Sequence, residues 1–305
     1  MNGLLGLVAA VLAIALIKAT PLVYAALGGV ISESAGIINI ALEGMMAAGA
    51  FSAVLGSFYF HNLALAVLVA MLTGAALGLL LAYLAVTQRA DQIVVGMAIN
   101  VLAIGGAAFL LAVVFGQPGA SPEVKSFSSL GRVASEGLMD LFVSPGRYML
   151  FWVAIALVAI VHIYLYRTRS GLHLRAVGES PHAALTAGIN VIGYRYAAAI
   201  VGGALAALGG AYLSIGEVDL YSDGMVAGRG FIALAAVIFG RWTPLGAAGA
   251  CVFFGFFSSL QIALQRAQVP AQLLEMLPYV LTIIAIAGLI GRSRPPAADG
   301  VPFTA

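Results

Sequence analysis

Charge is what this sequence lacks. Asp, Glu, Lys and Arg make up 9% of its 305 residues, against roughly 25% in a soluble domain. A water-facing surface cannot be assembled from so few charges, whereas a lipid-facing one can. No charged residue occurs from Gly44 to Gln88, Gln92 to Pro122, Tyr148 to Tyr166, Tyr196 to Gly216 or Trp242 to Gln265. A hydrocarbon core about 30 Å thick takes roughly 20 helical residues to cross, so each run can span and the first can span twice. The runs are continuously apolar and lack the two-residue alternation of a membrane β-barrel. The expected class is therefore all-α, a polytopic helical membrane protein.

Other absences narrow the function. Cys251 is the single cysteine, so no internal disulfide can form, and its place in an apolar run fits a small buried residue. Lys18 and Lys125 are the only lysines, and neither follows a glycine-rich phosphate loop. The chain therefore has no standard means of hydrolysing a nucleotide, and any energy input must come from an ion gradient or a separate subunit. There is no HExxH and no Cys/His cluster, since His61, His162, His173 and His182 are scattered. An intramembrane hydrolase is left without a catalytic set, and no cofactor is expected. A net charge of +2 suggests no nucleic-acid partner.

What is present is a series of about ten membrane-embedded segments, near 3–18, 20–34, 42–60, 63–86, 92–115, 147–166, 194–214, 228–240, 244–264 and 272–291. The second and eighth are short and glycine-interrupted, which predicts broken or partial helices. The apolar stretch Gly3–Ile17 lacks a basic leader and is read as a spanning helix rather than a signal peptide. Residues 1–291 are expected to form a single transmembrane domain, with a cytoplasmic tail over 292–305. Ten crossings with the N-terminus inside would leave eight basic residues in the cytoplasm and six outside, Arg229 among the latter. The loop 167–193, with arginines and no lysine, fixes the cytoplasmic side locally. The segment 116–147 then lies outside, where it is long enough to meet a partner.

Within the cytoplasmic loop, Ser180 followed by Pro181 is a helix-start pattern, an N-cap hydroxyl and then proline in the first turn. The helix would run from His182 through Ala184 to Ala187 and stop at Gly188. A stand-alone carrier needs no capped helix in such a loop; a docking surface does. Within the bilayer, polar groups are costly and are functional candidates by default. Asn39, Glu43 and Asn100 stand out, with Glu33 beside them. Contact with a substrate and hydrogen bonding to backbone or to neighbouring helices are both open for them. Most of the 37 glycines fit close helix packing.

The stretch GGVISESAGIINIALEGMMAAGAF (Gly28 to Phe51) resembles the ABC-importer permeases of the branched-chain amino-acid and simple-sugar superfamily. Arg89–Asn100, Leu174–Val191, Gly228–Ala247 and the tail Ile290–Phe303 are similar to its nucleoside-importer branch. The resemblance implies a subunit of the bacterial inner membrane that pairs with a second, longer permease, most simply as a heterodimer. It also implies a cytoplasmic ABC ATPase, which supplies the hydrolysis, and an extracytoplasmic substrate-binding lipoprotein. On the resemblance, Gly178, Glu179, Ser180, Pro181, Ala184 and Gly188 belong to the helix that couples to the ATPase. Asn39, Glu43 and Asn100 would line the substrate pathway. Import of a ribose-type sugar or a branched-chain amino acid is the alternative within this class, and a secondary transporter is the alternative outside it.

Overall fold

The computed structural model describes residues 2–130, 141–142, 144–265 and 294–303. Its α-helices are α1 (Asn2–Ser34), α2 (Leu42–Phe60), α3 (Leu63–Ala82), α4 (Gln92–Phe115), α5 (Met149–Arg167), α6 (Arg169–Glu179), α7 (Pro181–Thr186), α8 (Val191–Ala211), α9 (Arg229–Phe239) and α10 (Pro244–Gln265). Two π-helical turns, Tyr83–Thr87 and Tyr212–Val218, extend α3 and α8. Among the described residues, six helices are long and apolar enough to cross a membrane.

The first two expected segments are one helix. The polar pair Lys18 and Thr20 followed by Pro21 reads as a break, yet α1 runs 33 residues, about 50 Å, straight through them. Proline removes one backbone hydrogen bond, and the neighbouring structure absorbs each polar group. The Thr20 hydroxyl donates to the Leu16 carbonyl at 2.8 Å, and Lys18 pairs with Glu217. The start of α1 and Ser34 therefore lie at opposite ends of one helix, which removes the expected hairpin and, with it, an N-terminus on the side of Ser34. The tenth expected segment, 272–291, lies outside the described residues.

The eighth segment is a partial helix, as its glycines predict. Eleven residues extend about 16 Å, half a hydrocarbon core. Arg229 stands at the start of this half-helix, where the expected segment 228–240 put it. Its guanidinium donates to the Met225 and Val226 carbonyls at 2.6 and 3.0 Å.

The core sits around α8. The apolar window of Val191–Val218 is 83% buried, against 28% for the spans Leu63–Thr87, Gln92–Phe115 and Met149–Arg167, which turn most of their surface outward. Helix α8 packs against α1, α2 and α3. Gly202 meets Gly28 of α1, Gly203 meets Gly74 of α3, and Gly210 meets the Met46 carbonyl of α2. A Cβ at any of these positions would enter a neighbouring carbonyl, so the seam is backbone against backbone. Helices α5 and α10 pack on α1 from the other side and enclose with it an apolar cleft of about 340 Å3 lined by Val23, Ala154 and Leu245.

The two ends of α5 separate the two polar faces. Before it, residues 119–128 run beside 215–223, tied by Ser121 N to Tyr221 O at 2.8 Å, Val124 N to Asp219 O at 2.9 Å and Phe127 N to Ile215 O at 2.8 Å. After it come α6 and α7. The seam gives a direct expectation: Gly203→Val should lower the stability of the detergent-purified protein by about 1–3 kcal/mol or more through overpacking. Thermal melting checks it, against Gly249→Ala, where a Cβ meets open space.

Candidate functional site

The polar groups singled out in the sequence gather where α1 turns into α2. The connecting residues 35–41 are not helical, yet most are buried. Irregular backbone at that depth must be hydrogen-bonded by protein. Two side chains of α4 do this. Gln92 Oε1 accepts from Ile38 N at 2.7 Å. Asn100 accepts from Gly44 N at 2.7 Å and donates to Ile40 O at 2.9 Å, so it bridges the turn and the first residues of α2. A Cβ on Gly44 would lie 2.7 Å from Asn100 Cα, and glycine there is what lets α4 come close enough.

Glu43 joins the same turn to α9. Its two carboxylate oxygens accept from Gly228 N at 2.8 Å and Gly230 N at 2.7 Å, the amides that open the half-helix. Glu43 also lies in the first turn of α2. One buried carboxylate thus serves two helix N-termini, each carrying a partial positive charge. Asn39 is fully buried: its amide nitrogen donates weakly to Ser32 Oγ at 3.4 Å, while its Oδ1 has no partner. Asn39, Glu43 and Asn100 are therefore brought together on one turn. Glu43 and Asn100 are occupied by backbone, and only Asn39 retains an unused acceptor.

The second constellation is at the same end of α1, against Ser34. Helix α7 forms at Pro181 as expected, and Gly188 ends it with a left-handed φ of 79°, Ile189 N reaching back to Ala184 O at 3.0 Å. The Ser180 hydroxyl makes no cap bond; its carbonyl accepts from Ala184 N at 2.9 Å instead. Helix α6, read in the sequence as loop, carries Gly178 against the end of α1. A Cβ there would enter the Ser34 carbonyl. Ala184 faces inward, onto Val177, Val191 and Phe303. Leu185, Thr186 and Ala187 are exposed and form the outward face of the short helix.

Residues that sequence reasoning passed over hold this end together. The segment 296–303 is a folded strap. Ala298 N donates to Gly178 O at 2.9 Å, Ala297 N to the Glu179 carboxylate at 3.4 Å, and Arg195 Nη1 to Val301 O at 3.0 Å. Phe303 packs on the His182 ring, 5.3 Å between centroids, and beneath the Arg195 guanidinium. Arg195 is fully buried, with Nε and Nη2 unpartnered, and Glu33 accepts from Trp242 Nε1 while its other oxygen has no partner. Burial pushes the Asp299 carboxyl up to about 7, while the Arg195 charge and a hydrogen bond from the Gly300 backbone oppose it.

The family described as branched-chain amino acid transport system / permease component matches residues 11–286 of this chain. The chain belongs to that family. This permease is 40% identical over 94% of each chain to the guanosine ABC transporter permease protein NupQ of Bacillus subtilis. It is 37% identical, again over 94% of each, to the nucleoside ABC transporter permease protein NupC of Lactococcus lactis. The permease fold also resembles the solved structure of an inward-facing ABC transporter of metal-chelate type, with a TM-score of 0.52 at 16% identity, covering 90% of this chain and 85% of that one. It is a multi-pass integral membrane protein, and in a bacterium its place is the inner membrane.

Two expectations follow for the permease. Glu43→Ala leaves the amides of Gly228 and Gly230 without their acceptor and should cost about 2–3 kcal/mol of stability, read by thermal melting in detergent. For Asp299, a carboxyl raised in the folded state favours the docked strap most when protonated. Docking is strongest below the ordinary carboxylate range and weakens as pH rises through about 7. Amide exchange at 297–303, corrected for its intrinsic pH dependence, should therefore accelerate between pH 6 and 8 in the native protein and stay level in Asp299→Asn.

Proposed function

We propose that this permease conducts nucleosides inward as one half of the membrane channel of an ABC importer. Its partner in the bilayer is a second permease; a cytoplasmic ABC ATPase supplies the hydrolysis, and an extracytoplasmic lipoprotein delivers the cargo. The observation that carries the reading is the continuity of the physical path between the two constellations. Helix α7 is clamped to α6 by Ala184 and the strap, and α6 is keyed to the end of α1 by Gly178. The turn after α1 is held by Asn100, and Glu43 ties it to α9. A displacement of α7 is thereby delivered to a buried turn and a half-helix, the discontinuous elements that transporters place beside their cargo. Likeness to the guanosine and nucleoside permeases supports the cargo class.

On this reading Gly178, Glu179, Ser180, Pro181, Ala184 and Gly188 shape the coupling element, and the exposed Leu185 is the apolar residue that meets the ATPase. ATP moves the equilibrium only by its unequal affinity for the two states of the complex. Asn39 is the pathway residue with unused hydrogen-bonding capacity. A state of the cycle that opens the 35–41 turn would offer it to the sugar hydroxyls or base of a passing nucleoside.

Uptake by the reconstituted complex tests the proposal. Labelled guanosine should accumulate with ATP and be competed by other nucleosides but not by ribose. Leu185→Asp should abolish accumulation while leaving the melting temperature of the isolated permease unchanged. Competition by ribose or leucine alone would overturn the cargo, and transport that persists without any ATPase would overturn the importer.

A further inference from the structure

A cavity of about 430 Å3 lies where α1 and α5 end and α10 begins, beside the coupling element, with which it shares Glu179. Tyr166 at the end of α5, Arg175 and Glu179 on α6, Arg241 and Trp242 between α9 and α10, and Arg294 of the tail are among the groups that line it. Three guanidinium groups thus face one carboxylate. Among the described residues the one ion pair joins Lys18 to Glu217, far from this cavity, so none of the three arginines has a carboxylate within 4.0 Å. The single acid, Glu179, is turned toward the Ala297 amide. Arg175 Nε is buried with no hydrogen-bond partner, and its guanidinium is held over the Tyr166 ring, 4.7 Å from the centroid. Arg241 and Trp242 both adopt left-handed backbone, with φ of 53° and 54°. L residues seldom take that conformation, and here it carries both side chains to the cavity wall.

Like charges converging without a counter-charge repel, and an anion of more than one acceptor oxygen relieves that repulsion. The guanidinium fork matches a phosphoryl group in particular. The level of the cavity identifies the source. Ser34 is the last residue of one span and Tyr166 the last but one of another, so the cavity opens where hydrocarbon gives way to headgroups. Tyr166 and Trp242 are the ring types that settle at that depth, and the neighbouring Leu172 is exposed. We propose that this cavity binds a phosphoryl anion, the headgroup of an acidic phospholipid of the adjoining leaflet, and that the lipid joins α6 to the α9–α10 turn.

The test uses the full-length permease, purified with its native partners, in nanodiscs of phosphatidylcholine alone or mixed with phosphatidylglycerol. Native mass spectrometry after delipidation should show retained phosphatidylglycerol in preference to phosphatidylcholine. Retention should fall about fivefold for each arginine replaced in Arg175→Gln, Arg241→Gln and Arg294→Gln. Arg294→Lys should keep most of it. Arg294→Gln alters an exposed tail position and keeps the test decisive should Arg175→Gln fail to fold. A parallel arm adds inorganic phosphate to delipidated protein: phosphate bound in place of lipid upholds the phosphoryl site and assigns it a soluble occupant. Equal retention of the two lipids with no phosphate bound overturns the proposal, as does retention that is indifferent to all three substitutions.

Discussion

A single buried carboxylate holds the discontinuous part of this permease together. Glu43 accepts from two amides of α9 while sitting in the opening turn of α2. Two helix N-termini brought together in an apolar interior would leave unpaired donors and facing partial positive charges. An oxygen for each amide and one negative charge between the helices answer both problems. With Glu43 in place, α9 can begin within the membrane and stop after eleven residues, and the buried turn before α2 can remain non-helical.

Around that point the chain uses two contrasting kinds of contact. The bundle of α1, α2, α3 and α8 is joined by glycine and alanine, backbone against backbone. The end where α6, α7 and the strap meet α1 is joined by polar groups that are incompletely satisfied, among them Arg195, Glu33 and Asp299. Buried ionisable groups with open valences are poor choices for stability alone. They suit a junction that separates and re-forms better than one that stays closed.

The sequence made the class, most spans and the short helix after Ser180 legible, because those depend on local composition and local caps. Runs without charge mark α3, α4 and α5, and Pro181 and Gly188 bracket α7. What it hid is non-local. Lys18 and Pro21 look like a turn until Glu217, nearly two hundred residues away, is brought beside Lys18. Glu43 and Asn100 stood out as costly polar groups, but their partners at Gly228, Gly230, Ile40 and Gly44 could not be read from spacing. The proline-containing tail has the composition of a linker, and its docking depends on Arg195 and Gly178, more than a hundred residues earlier.

The glycine seam restricts which motions are open to the molecule. A helix pressed backbone to backbone against three neighbours cannot turn about its own axis without driving a side chain into a carbonyl. Helices α1, α2, α3 and α8 must therefore travel as one rigid body. The softer boundary is that of α5 with α1 and α10, across a cleft whose lining includes Leu16, Val23, Ile155 and Leu245, side chains that can exchange rotamers. Motion of this permease then resembles the rocking of a block on a greased bearing more than a rearrangement of the block itself. Its speed would be set by how readily those side chains repack.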